Sequence, residues 1–286
     1  MSGTTNIAWT DATWNPVTGC TKVSPGCLHC YAETLDKRFH WDGSYVPWTV
    51  AAQRKAGVSA IHLHPERLDA PLHWKKPRRI FVNSMSDLFH EDVPDEFICQ
   101  VFQTMVQCPQ HTFQVLTKRP ARMESWMKAW RWRELPCCSK GRLRNPLPNV
   151  WLGVSVENQR YADERLPLLA QCPAAVRFVS VEPLLGPVDL AQWFYPPLSE
   201  VRCGGLWHEG TGVFDAQPQY GSPIAWVICG GESGPGHRPM DTAWVQSIAD
   251  QCTAVSVPLF VKQDSGPRPG QQGVLPNSLW ARKEMP

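Results

Sequence analysis

Nowhere in its 286 residues does the chain carry a run of about 18 apolar residues, so no membrane-spanning helix is predicted. Met1 to Thr10 has no basic segment leading into an apolar stretch. That speaks against a secretory signal and predicts a cytosolic protein. An excess of one charge sign is also missing. Lys and Arg number 28 against 26 Asp and Glu, a formal net charge of +2, which gives no global case for a nucleic-acid binder. No internal repeat occurs, and no second Cys-x2-Cys joins the pair at Cys27 and Cys30.

What is present describes a folded chain. Hydrophobic residues make up 43% and charged residues 19%, as in ordinary globular proteins. Proline is frequent, with 27 residues, which predicts many punctuated turns. The length is enough for one large α/β domain or for two smaller ones. The 11 cysteines are an odd number with no disulfide-scaffold spacing. In a reducing compartment such cysteines bind metal or do chemistry more often than they form bridges.

Short β-branched runs recur along the chain: Arg79 to Asp87, Thr112 to Arg119, Val150 to Asn158, Val176 to Pro183, Ala225 to Ser233 and Val257 to Asp264. Continuous apolar runs of this kind suit strands covered on both faces, as in a parallel sheet. A further strand is expected within Ile7 to Asn15. Between the runs, Asp95–Gln107, Asn158–Gln171 and Asp241–Val255 have helical apolar spacing, and Glu33–Phe39 also reads as helix. Alternating β and α predicts an α/β fold, either a (β/α) barrel or a doubly wound sheet. We read 1–286 as one domain, a partial TIM-type (β/α) barrel with mainly parallel strands. Loop insertions are expected at 125–149 and 192–222.

Polar residues gather where these strands end: Ser84, Ser86 and Asp87; Thr117, Lys118 and Arg119; Ser155 and Glu157; Ser180 and Glu182; Glu232 and Ser233; Lys262, Gln263 and Asp264. Any one such group is what a loop start looks like. Six in one chain predict a shared polar site at the C-terminal mouth of a barrel.

Cys20, Cys27 and Cys30 fall within eleven residues, in a stretch bracketed by Asn15-Pro16 and carrying Pro25-Gly26. Three thiolates on a loop between a first strand and a first helix suit an iron–sulfur cubane that leaves one iron open. A structural zinc site is the competing reading; it would need a fourth ligand such as His29, His40 or a distant cysteine. Cys99, Cys108, Cys172, Cys229 and Cys252 read as small buried hydrophobes. Cys137, Cys138 and Cys203 leave room for a second metal site. His62, His64 and His73 lie in one stretch without a carboxylate pattern and are not read as ligands.

The three-cysteine loop resembles that of the radical-SAM superfamily, with six residues in its first gap where the superfamily has three. Seven further segments bear on the comparison: WTDATWNPVTGC from Trp9, GCLHCYA from Gly26, FVNSMSDLFH from Phe81, VLTKRP from Val115, WLGVSVEN from Trp151, VSVEPLLG from Val179 and CGGESGPGHRPM from Cys229. Together they resemble the phage gene-product thirty-seven/sixty-eight family, which is grouped with radical-SAM proteins. The resemblance runs from about Ile7 to Gln263.

It implies a 4Fe-4S cluster on Cys20, Cys27 and Cys30, and S-adenosylmethionine (SAM) bound at the open iron. One-electron cleavage of SAM would give a 5′-deoxyadenosyl radical that takes hydrogen from a substrate. Ser84, Ser86 and Asp87 are then placed near the SAM amine, and Ser155 and Glu157 near the ribose. Lys118 and Arg119 would pair with a carboxylate or phosphate. Glu182, Glu232, His237 and Arg238 would face the substrate. A reductant such as a flavodoxin or ferredoxin is the implied partner.

Phage association and two local basic stretches, Lys75 to Arg79 and Trp126 to Arg133, point to a nucleic-acid or nucleotide-derived substrate. The second stretch also reads as an amphipathic helix with a charged face. Some of the acids have a plainer reading: Glu157 and Glu182 would pair with Arg165 or Arg177. The alternative for the whole chain is a zinc-stabilised nucleic-acid-binding or adaptor protein without catalysis.

Overall fold

The computed structural model describes residues 3–40, 44–129, 146–194, 206–208, 213–215 and 224–286. In chain order the elements begin with strands β1 (Gly3–Thr4), β2 (Ala12–Trp14) and β3 (Val17–Thr18). Helices α1 (Tyr31–Phe39) and α2 (Val50–Ala56) follow, then β4 (His62–Leu63), β5 (Arg79–Val82), α3 (Asp95–Gln107), β6 (Thr112–Thr117) and α4 (Pro120–Ala129). Next come β7 (Val150–Ser155), α5 (Gln159–Ala170), β8 (Val176–Val181), α6 (Ala191–Phe194), β9 (Leu206–His208) and β10 (Val213–Asp215). The chain closes with β11 (Trp226–Gly230), α7 (Thr242–Ala254), β12 (Leu259–Gln263) and α8 (Asn277–Trp280).

The main sheet has the order β1-β2-β5-β6-β7-β8-β11-β12. From β2 to β12 every neighbour is parallel, and β1 adds an antiparallel edge. The seven parallel strands curl into a half-barrel with helices on the outside, the partial TIM-type architecture expected.

Period-two alternation sorts the side chains between the two faces. Along β7, Leu152 and Val154, followed by Val156, join the outer core beneath the helices, whereas Trp151 packs into the inner cluster. The same parity places Gly153, Ser155 and Glu157 inward. The inner floor is aromatic, with Trp9, Phe81, Phe178, Trp226, Ile228 and Phe260 buried together. Trp9 lies 4.7 Å from Phe81, and Trp226 meets Trp151 edge-on at 5.9 Å. Gly153, in register with Phe178, has to be glycine, because a Cβ there would sit 2.5 Å from the Phe178 ring. Floor and wall thus leave the polar residues only the C-terminal end of the barrel.

The outer layer follows the helical periodicity of the sequence. α3 buries Phe97, Ile98, Val101, Phe102 and Met105. Asn158 caps α5 by accepting from Tyr161 N, and Asp241 caps α7 by accepting from Ala243 N. In one place the expected loop is helix. Residues 125–129 complete α4 because Trp126 and Met127 are buried, Trp126 at 4.8 Å from the Phe102 ring. The rest of the first expected insertion, up to residue 145, lies outside the described residues, as does most of the Trp126 to Arg133 run. Within the second insertion β9 and β10 form an antiparallel pair. Cys137, Cys138 and Cys203 also lie outside the described residues. No helix among the described residues is long and apolar enough to cross a membrane.

Candidate functional site

The three-cysteine loop follows β3, which pairs with β4 apart from the main sheet, and is bound to residues at the C-terminal ends of the main-sheet strands. Gly19 turns the chain with φ 82°, a left-handed value that glycine adopts freely, while its N–H donates to Met85 O. Cys20 follows at once. Cys27 ends a single 3-10 turn, Pro25–Cys27, and Cys30 is the N-cap of α1. All three are partly exposed, and none of the eight described cysteines forms a disulfide.

Each sulfur has a different environment. Burial pushes the Cys20 thiol up to about 12, opposed by the nearby Arg119 charge, whose Nη1 donates to Cys20 Sγ at 3.5 Å. Burial also raises Cys30, opposed by the first backbone N–H groups of α1 at Ala32 and Glu33 and by the Lys118 charge. That is the helix N-terminus acting on a thiolate. Cys27 Sγ lies 3.8 Å from Ser24 Oγ. Among the described residues no group of three or more His, Cys, Asp or Glu side chains is placed to hold a metal ion. The donor set of three cysteines on one loop has the number of thiolates that a cubane with one open iron takes.

Two buried acids fasten the loop to the barrel. Ser24 Oγ donates to Glu157 Oε1 at 2.5 Å, and Arg165 Nη1 donates to Glu157 Oε2 at 3.2 Å. Gly26 lies so close that a Cβ would come within 2.5 Å of the same carboxylate. Farther along the mouth, Glu232 meets His29 Nδ1 at 3.0 Å and takes two bonds from the Arg238 guanidinium, whose Nη2 also donates to Pro25 O at 2.9 Å.

The remaining candidates sort by partner. Ser84 Oγ donates to Asn15 Oδ1, Ser86 Oγ donates to Val17 O, and Ser84 O accepts from Tyr31. Asp87 accepts from Thr117 Oγ1, from the backbone N–H of Lys118 and Phe89, and from Arg119. Glu182 pairs with Lys262 at 2.6 Å. His237 Nδ1 lies 3.0 Å from Gly234 O. Ser155 is 3% exposed, on the inner face. The Lys118 ammonium has no ion-pair partner among the described residues, yet its charge bears on Cys30. The structure brings Asp87 together with Thr117, Lys118 and Arg119, and Glu182 together with Lys262, at the C-terminal ends of parallel strands.

Sequence reasoning did not find the loop's own contributions, Ser24, Gly26 and His29 as fastenings, nor Asn15 beneath Ser84. Nothing in spacing marks them, since each acts on a residue far away in the chain.

A family model for a protein of unknown function, DUF5131, matches residues 4–272. The chain belongs to the DUF5131 family. No match to a curated protein or to a solved structure was found.

In this DUF5131 member the second fastening should show a pH dependence. Burial disfavours the Glu232 carboxylate, but hydrogen bonds from Arg238 and His29 outweigh it and hold its pKa at about 2, below the ordinary 4.5. A depressed carboxylate contributes stability above its unfolded pKa and loses it as pH falls through the folded one. The cost of Glu232→Gln is therefore expected to be a few kcal/mol at pH 7. It should shrink across the window from 4.5 down to about 2. Urea unfolding of both proteins at pH 7 and pH 3 measures it; a gap equal at the two values would refute the linkage.

Proposed function

We propose that this chain is a radical-SAM-type enzyme that holds a 4Fe-4S cluster on Cys20, Cys27 and Cys30 and binds SAM at the mouth of the half-barrel. One observation carries the reading: a loop with three partly exposed cysteines is fastened to residues that follow β5, β6, β7 and β11 at the C-terminal end of a parallel sheet. That end is where such barrels do chemistry. When bound, the cluster and SAM supply reductive cleavage of a sulfonium bond and a carbon radical able to take hydrogen.

The chain's own residues bind, orient and exclude water. Glu157 and Glu232 hold the loop at a fixed height above the mouth. The N-terminus of α1 favours negative charge on Cys30. Lys118, without an ion-pair partner among the described residues, is a cation that would meet a SAM carboxylate or a substrate phosphate. Ser155 stands on the inner wall within the ribose-binding role proposed for that strand. Glu182 with Lys262, and Arg238 beside Glu232, border the substrate side. The aromatic floor packs the inner face of the sheet below the proposed site. Nucleic-acid or nucleotide-derived substrates remain the proposed class, and a flavodoxin or ferredoxin the proposed electron donor.

The test is anaerobic reconstitution with iron and sulfide, reduction with dithionite, addition of SAM and detection of 5′-deoxyadenosine by mass. Its formation is the expected result. A protein that keeps zinc, takes up no iron and makes no product would sink the reading in favour of a zinc-stabilised binding protein.

A further inference from the structure

Arg119 stands out among the charged groups of the mouth because every part of its guanidinium is engaged. The side chain is 9% exposed. Nε donates to Glu91 at 2.9 Å, Nη2 to Thr21 O at 2.9 Å, and Nη1 to Asp87 at 3.3 Å and to Cys20 Sγ at 3.5 Å. A guanidinium so placed cannot swing out to grip a free carboxylate or phosphate without abandoning a buried aspartate. Thr21 O and Cys20 Sγ belong to adjacent residues, so the fork holds the loop and touches its sulfur together.

The other sulfurs lack such a partner. The single hydroxyl hydrogen of Ser24 goes to Glu157 at 2.5 Å, which leaves none for Cys27 at 3.8 Å. Cys30 receives backbone amides. Cys20 is therefore the sulfur in hydrogen-bond contact with a full positive charge. Asp87 offsets that charge in part and keeps its own, because Thr117 Oγ1 and the Lys118 N–H donate to its carboxylate, so loss of the guanidinium would leave the sulfur beside an uncompensated anion. Glu91 is 63% exposed and screened by water.

We propose that Arg119 is a positioning residue that sets the electron affinity of the cluster through Cys20, and is not a ligand for SAM or substrate. This rests on the cluster reading above. Reduction adds one electron, supplied by the external reductant, and makes the cluster and its thiolates more negative with no bond made or broken. Hydrogen bonds and charge at the sulfurs are among the levers that set iron–sulfur potentials. A fixed cation at Cys20 stabilises the reduced form, so its removal lowers the potential.

The experiment is a redox titration of the reconstituted protein, followed by the electron paramagnetic resonance signal of the reduced cluster, for wild type, Arg119→Gln and Arg119→Lys. At the potential that half-reduces wild type, Arg119→Gln is expected to show a reduced-to-oxidised ratio lower by about tenfold, which is about 59 mV for a one-electron couple. Arg119→Lys keeps a charge opposite Asp87 and should fold even if the glutamine variant does not; its ratio should fall less, in the same direction. Cluster-loaded variants that titrate with wild type would overturn the proposal. So would a wild type that loads a cluster while neither variant does, since Arg119 would then be a folding clamp only. A wild type that takes up no iron overturns the cluster reading itself, before any variant is read.

Discussion

Alanine at Cys20, Cys27 and Cys30 together is expected to leave a folded barrel that binds no iron and forms no 5′-deoxyadenosine. The two halves of that expectation have separate grounds. Folding should survive because the loop's backbone is held by other residues. Ser24 is fixed to Glu157, Pro25 O to Arg238, and Lys22 N to Trp48 O. The three sulfurs lie at the mouth, outside the aromatic floor and the outer core. Removing a partly exposed sulfur costs far less than opening a core cavity, for which about 2 to 5 kcal/mol is usual for a large residue. Metal binding should vanish because three corners of a cubane lose their ligands at once.

A Cys252→Ala variant is the control. Cys252 is fully buried on α7 among outer-core residues, so its loss should lower the unfolding midpoint and leave iron content intact. Iron and sulfide analysis with a thermal melt for each variant decides it. Full iron content in the triple variant would remove the assignment of these ligands.

The parallel sheet was legible because its strands are apolar on both faces. Val150–Ser155 reads as an apolar run and Val176–Val181 as one interrupted by Arg177 and Ser180, and the structure buries one face against helices and the other against the aromatic floor. The polar strand ends were legible for the same reason: polarity resumes where the floor stops. β2 falls within the strand expected between Ile7 and Asn15, but β1 and the pair of β3 with β4 were not legible, since two residues carry no period. The end of α4 falls where the sequence supports two readings, a loop insertion from 125 and an amphipathic helix from Trp126, and burial of Trp126 and Met127 makes it helix.

Within the site, residue types were legible and their partners were not. Glu157 pairs with Arg165, eight residues on, as its plainer reading allowed. Its other bond reaches Ser24, 133 residues back, and Glu232 reaches His29 across 203. Glu182 was weighed against Arg165 and Arg177 and instead meets Lys262, because both share the inward parity of Phe178 and Phe260 on strands of one curled sheet. Only the inward closing curl of the sheet brings these groups within bonding distance.

That closure makes Glu157 the most consequential side chain outside the cysteines. It is fully buried, and Arg165 beside it is 2% exposed. Arg165 also donates to Ser155 O at 2.6 Å and lies over the Tyr161 ring at 4.4 Å. Glu157→Ala would leave that guanidinium without its counter-charge and Ser24 without its acceptor. Breaking one side of a buried pair costs about 3 to 5 kcal/mol. Glu157→Gln keeps the shape and an acceptor for Ser24, so its cost should be smaller, and pairing Glu157→Leu with Arg165→Leu should recover part of the stability of the alanine variant. Stability and function should then part company. The double variant regains a folded barrel but not the Ser24 bond, so iron uptake should stay low while the urea midpoint recovers. An ion pair that mattered for folding alone would instead let iron content and midpoint return together, and the fastening of the cysteine loop would have to be sought elsewhere.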